Sequence, residues 1–204
     1  MKTFHLFIAT LLFSVSSTLA QEVTISPDSL MKTRAIKMEF FSPLNGNLTF
    51  GYEQYIKNFT SIEARLGIIG LGRQEVITQR ETGFFLKVGP KFKLKPDYAQ
   101  KGTYGTHLLR GGYIRPEIAF GTFRIDQDPF DGPSSNDQAN FFSLMINYGK
   151  QYILGDIMTL DWNIGVGYGF SNEEDRGYYY GNVIGDGSYP IAINGGFTLG
   201  VLLK

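Results

Sequence analysis

"LDWNIGVGYGF", Leu160 to Phe170, alternates without a break: Leu160, Trp162, Ile164, Val166, Tyr168 and Phe170 share one parity, and Asp161, Asn163, Gly165, Gly167 and Gly169 the other. A period of two belongs to a β-strand, whose successive side chains point to opposite faces. The stretch thus has one bulky apolar face and one small or polar face. The fold turns on which face meets the surroundings.

The same alternation recurs along the chain, punctuated by Gly, Asn, Asp, Pro and Ser clusters, and predicts eight strands. They run over Arg34–Ser42, Asn47–Tyr55, Thr60–Ile69, Gly83–Lys93, Gly112–Phe123, Phe141–Tyr152, Leu160–Phe170 and Ile191–Leu203. Asn45-Gly46 is a hairpin signal between the first two, and Lys57-Asn58 marks the next tight connection. Pro90 and Pro116 interrupt neighbouring strands on the apolar parity, which predicts a shared bulge. No helical period competes after the N-terminal segment, and no second domain is visible. Eight runs of about ten residues are the signature of a small antiparallel up-and-down β-barrel.

Such a barrel has room inside only for a modest set of side chains. The bulky residues of eight strands could scarcely fit there, whereas Gly, Asn and a mixed set of charges could. The expected arrangement is therefore inverted relative to a soluble protein: Phe50, Leu66, Trp162 and Phe197 face lipid. Lys37, Glu39, Glu53, Glu63, Arg65, Lys87, Lys91, Arg115 and Glu117 then share the inward parity, where opposite charges can neutralise one another. The alternative is a soluble exported barrel, in which those four apolar residues line a cavity for a small apolar ligand.

The eight-strand pattern, with "LKVGPKF", "YIRPEIAFG" and the closing "NGGFTLGVLL", resembles the small OmpA/OmpX-type outer-membrane barrels of Gram-negative bacteria. The likeness covers Arg34 to Lys204 and is one of architecture. It implies an all-β, eight-stranded transmembrane barrel in the cell outer membrane. It also implies recognition of Phe197, Leu199, Val201 and Leu203 by the barrel-assembly machinery during biogenesis. Such barrels commonly end in an aromatic residue, and this chain ends Leu203-Lys204. The pattern stops at the eighth strand, with no counterpart of the peptidoglycan-binding domain of longer relatives. With both termini in the periplasm, the connections after strands one, three, five and seven face outward. The connection Lys95–His107 is then a long one on the periplasmic side.

The remaining features agree with an exported chain of 204 residues. Residues 1–20 read as a signal peptide, with Lys2, an apolar run from Phe4 to Val15 and a cleavage site between Ala20 and Gln21; the run is short for a spanning anchor. Residues 21–33 form a polar leader ahead of the barrel at 34–204. The 19 basic and 19 acidic residues balance, leaving no basic stripe for nucleic acid, and without Cys there is no disulfide or thiolate metal site.

No catalytic, metal or cofactor residue can be assigned. His107, the sole histidine after the signal segment, has no nominated partner for general-base work, so a lipid-modifying enzyme is the weaker alternative. Asp126, Asp128 and Asp131 are oxygen donors, but the third falls one residue late for an EF-hand spacing. The outward "NEEDRGYYYG" carries Glu173, Glu174, Asp175 and Tyr178 to Tyr180, suited either to contacts with an extracellular surface partner or to an aromatic girdle. The partners implied are membrane lipid, the assembly machinery and whatever the outer loops touch.

Overall fold

The computed structural model describes residues 32–71, 80–94, 107–126, 137–155, 157–172, 178–185 and 190–204. The expected signal peptide, most of the leader, Asp128, Asp131, Glu173, Glu174, Asp175 and most of Lys95–His107 lie outside these residues.

The chain is all-β. Seven strands run in order: β1 Arg34–Glu39, β2 Asn47–Lys57, β3 Thr60–Ile69, β4 Arg80–Lys93, β5 Gly111–Asp126, β6 Asp137–Leu154 and β7 Met158–Ser171. A small hairpin follows, β8 Tyr178–Tyr179 and β9 Asn182–Ile184, then β10 Ile191–Leu203. Neighbours pair antiparallel, and β10 pairs with both β7 and β1, so β1–β7 and β10 close into an eight-stranded barrel. The expected strands are all present, with longer β4–β6 and a shorter β1.

The pairing also sets the stagger. From Ile36, directly opposite partners run through Tyr52, Ala64, Val88, Ile118, Leu144 and Tyr168 to Ile191, yet Ile36 itself lies opposite Val201. The circuit therefore closes ten residues out of step on β10. Ten steps of ~3.3 Å against eight strands ~4.8 Å apart tilt the strands by ~40° and give a wall ~8 Å in radius. That leaves space for one layer of side chains from each strand.

Two connections differ from expectation. Ser42–Asn45 form a 3-10 turn ended by Gly46 at φ 72, so Asn45-Gly46 is not a two-residue hairpin. The tight β2–β3 turn is Asn58-Phe59, both at positive φ, as a type I′ turn requires. The predicted bulge at the prolines is also absent. Val88 lies opposite Ile118 and Phe92 opposite Ile114 in unchanged register, with the ladder open between them. Pro90 and Pro116 face each other on that open rung. Both N–H groups it would need are missing, so the rung is lost with no extra residue. A register shift does occur between β2 and β3, at Tyr55/Lys57.

β1 is too short to cover all of β10. It spans Thr198 to Leu203, and β9 takes up the same edge of β10 further along, pairing Asn182, Val183 and Ile184 with Asn194, Ile193 and Ala192. The hairpin is thereby anchored in the wall.

Candidate functional site

The alternating faces resolve as the inward parity suggests. Bulky apolar side chains stand on the outer surface: Leu66 is 48% and Ile146 59% exposed, with Phe50, Ile118, Leu144, Val166, Tyr168 and Ile193 similarly placed. Trp162 and Phe197 are on this face too, half-buried against Tyr148 and Phe40. Charged residues fill the interior, with Glu63 1% and Lys91 0% exposed.

Glu63 is the centre of that interior. Its Oε2 meets Lys37 Nζ at 2.7 Å and Lys91 Nζ at 2.6 Å; its Oε1 meets Arg65 Nε at 2.5 Å and Arg115 Nη1 at 2.6 Å. Asp161 Oδ2 shares both ammonium groups, at 2.9 Å from Lys37 and 2.6 Å from Lys91. Glu53 Oε2 lies 2.5 Å from Lys37, and its other oxygen accepts from Ser61 at 2.6 Å. Arg115 also holds Glu117 at 2.8 Å. Tyr113 donates to Asp161 Oδ1 at 2.8 Å, while its ring lies 4.2 Å from the Lys91 ammonium. Gln151 accepts from Lys37, Lys91 and Lys93, and Asn163 links Arg65 to Asn147. Buried ions survive only when paired and hydrogen-bonded, which this network achieves by sharing each charge among several partners.

Carboxylate oxygens of Glu53, Glu63 and Asp161 come within 4.8 Å of one another, a spacing a cation could bridge. The Lys37 and Lys91 ammonium groups already sit on those oxygens, so the cluster is internally neutralised.

Of the nine charges expected inside, eight are buried and Glu39 is half-buried. Asp161 and Lys93, also buried, were missed, although Asp161 lies on the inward parity of the "LDWNIGVGYGF" stretch. The inward residues Tyr113, Gln151, Asn147 and Asn163 could be read the same way.

Above the charges, toward β8 and β9, the interior turns apolar. Tyr179 and Tyr180 enter the barrel and are buried among Phe85, Phe123, Phe141, Met145 and Ile184. This corrects the reading of those tyrosines as girdle or outer-loop contacts. Their hairpin turns at Tyr180-Gly181, both at positive φ, in a type I′ geometry that swings the aromatic pair inward. Tyr179 packs on Phe141 at 5.4 Å between ring centroids, Tyr180 on Phe123 at 5.4 Å, and the Tyr180 hydroxyl donates to the Glu81 carboxylate. The inward glycines make the room. A methyl group at Gly67 would enter the Phe85 ring, and one at Gly121 the Phe141 ring. Replacing Tyr180 by Phe should keep the packing but lose the bond to the Glu81 carboxylate. The expected loss is about 1.5–3 kcal/mol, measured as a lower urea midpoint for unfolding.

The opposite mouth is closed by the chain entering β5. Leu109, fully buried, packs against Ala35 and Leu202, and Lys93 donates to its carbonyl at 2.7 Å. His107 Nδ1 accepts from Leu109 N–H at 3.1 Å and so shapes this turn. The described end of the long 95–107 connection thus serves as a stopper.

Among the described residues, the interior carries a charged tier between two apolar clusters. Comparison with protein-family models, curated proteins and solved structures found no match for this chain.

Proposed function

We propose that this chain is an integral outer-membrane β-barrel protein with a structural or surface-interaction role and no chemistry of its own. The observation that carries the reading is the inversion of polarity, with large apolar residues around the whole outer wall and ion pairs inside. In water that wall would be an apolar patch far larger than soluble monomers expose. In a bilayer it is the surface required, and the closed ladder leaves no strand edge in hydrocarbon. The ten steps of β7 from Leu160 to Phe170 cover ~33 Å along the strand, or ~25 Å in height at a tilt of ~40°, the height of a lipid-facing band. The signal-peptide pattern of residues 1–20 supports export by the same route.

A soluble carrier of an apolar ligand would need Phe50 and Leu66 lining a cavity, and both point away from the lumen. A diffusion pore is disfavoured by the Leu109 and Tyr179–Tyr180 closures. The role then falls to the ends of the barrel and to its outer wall.

Refolding into detergent micelles tests this reading. The expected result is a gel band that migrates differently unheated and boiled, with no folded band when detergent is left out. A monodisperse, folded species in plain buffer would overturn the membrane assignment.

A further inference from the structure

Exposed charge is distributed unequally among the residues whose side chains are described. Among residues whose side chains are described, no Asp or Glu is exposed, since each is buried or half-buried in the lumen or at its mouth. Among these residues, the exposed basic ones gather at the end where β1 starts and β10 finishes, the terminal end. Arg34 opens β1, Lys57 closes β2, Arg110 precedes β5 and Lys204 follows β10; half-buried Lys150 on β6 joins them. These residues come from strands spread around the rim, so they form a broken ring. At the other end, Arg124 is the exposed base among the described residues.

The ring also sits at a defined level. Just inside Arg34, Lys57 and Lys204 the outer wall carries Ile56, Ile157 and Met158, then Tyr52, Tyr148 and Trp162, and Lys150 lies deeper on the outer face, with Leu154 and Met158 between it and the β6–β7 turn. The Lys150 ammonium lies 5.3 Å from the Tyr152 ring, and Lys150 is directly opposite Trp162 in the ladder. Aromatic rings bordering an apolar wall mark the membrane–water boundary, and cations one step beyond lie at the depth of lipid phosphates.

We propose that this basic rim binds the anionic headgroups of phospholipids in the leaflet at the terminal end, holding the barrel at a set depth and selecting charged over zwitterionic lipid. This rests on the membrane reading above. The occupant is lipid because the cations adjoin the apolar wall itself, where a phosphodiester lies while its acyl chains cover Ile56, Ile157 and Met158. Attraction between such exposed cations and anionic headgroups falls with salt.

Trp162, the sole tryptophan, reports on this rim from the lipid side. The experiment reconstitutes the refolded protein into phosphatidylcholine vesicles containing a brominated lipid, either phosphatidylglycerol or phosphatidylcholine, and compares the quenching of Trp162. The expected result is a preference for phosphatidylglycerol of roughly five-fold or more at low salt. It should fall toward parity between about 0.05 M and about 1 M salt. It should also fall in a variant carrying R34Q, K57Q, R110Q, K150Q and K204Q. Should that variant not fold, the salt series on the natural protein still decides. Equal quenching at low salt, in a protein that shows the heat-dependent gel shift, would overturn the proposal and leave the membrane reading intact. A preference that survives both high salt and the substitutions would overturn it as well. Absence of quenching by either lipid, together with absence of the gel shift, would remove the membrane reading and the proposal with it.

Discussion

Glu63→Gln should cost about 3–5 kcal/mol of folding stability, the price of breaking a buried ion pair from one side. The reason is the number of cations that converge there. Lys37 and Lys91 would keep Asp161 and Glu53, and Arg115 would keep Glu117. Arg65 would lose its 2.5 Å partner and retain Asn163 at 3.3 Å, a neutral acceptor, with Glu117 and Glu39 as the remaining carboxylates around a guanidinium that is 4% exposed. Arg65 is therefore the cation that loses its direct ion-pair partner. Adding Arg65→Gln to Glu63→Gln should recover part of the loss, a non-additivity expected of residues in one network. Urea titration in vesicles, scored by the folded band on an unheated gel, measures both. An unchanged midpoint for Glu63→Gln would mean that water reaches the network and screens it.

Ile146→Arg should lower stability by about 2–4 kcal/mol in a bilayer, the cost of a charge on the lipid face near the midplane. Ile146 is 59% exposed, stands opposite Pro116 and Val166, and lies in the middle of the outer wall. The same substitution at an exposed site in water should change stability by no more than about 0.5 kcal/mol. The sign and size of the change therefore identify the solvent of the outer face. Urea midpoints of the natural and substituted proteins in vesicles of ordinary chain length give the answer, and a change within about 0.5 kcal/mol there would contradict the lipid-facing assignment.

These two tests address opposite sides of the same wall, and both sides were legible from parity. A one-residue slip would move Glu63, Lys37 and Lys91 to the outer face and Ile62, Ile36 and Phe92 to the lumen, so register is strongly constrained wherever the two faces differ in chemistry. Asp161 was overlooked because "LDWNIGVGYGF" is dominated by its glycines. Its parity nevertheless places it in the lumen.

Other features were not legible. Nothing in "GYYYG" distinguishes tyrosines at a membrane interface from tyrosines folded into a lumen. The difference arises because β1 ends at Glu39 and leaves part of the β10 edge for β9 to occupy, with the Tyr180-Gly181 turn facing inward. Leu109 is similar, since its burial against Ala35 and Leu202 joins residues remote in the chain. The prolines mark the same limit. Each alone suggests a bulge, but Pro90 opposite Pro116 opens one rung without one, and that pairing depends on the β4–β5 register.

By itself the sequence determined the eight strands of the barrel wall, their antiparallel order and the side of the wall to which their residues belong. Those properties follow from local alternation and short turns. Only the tertiary structure decided the stagger of ten, the convergence of four cations on Glu63 and the sealing of the lumen by Leu109 and the Tyr179–Tyr180 pair. Each depends on which residues meet across a closed barrel. Closure sets those meetings through the accumulated register of all eight strands, a quantity that no single strand carries.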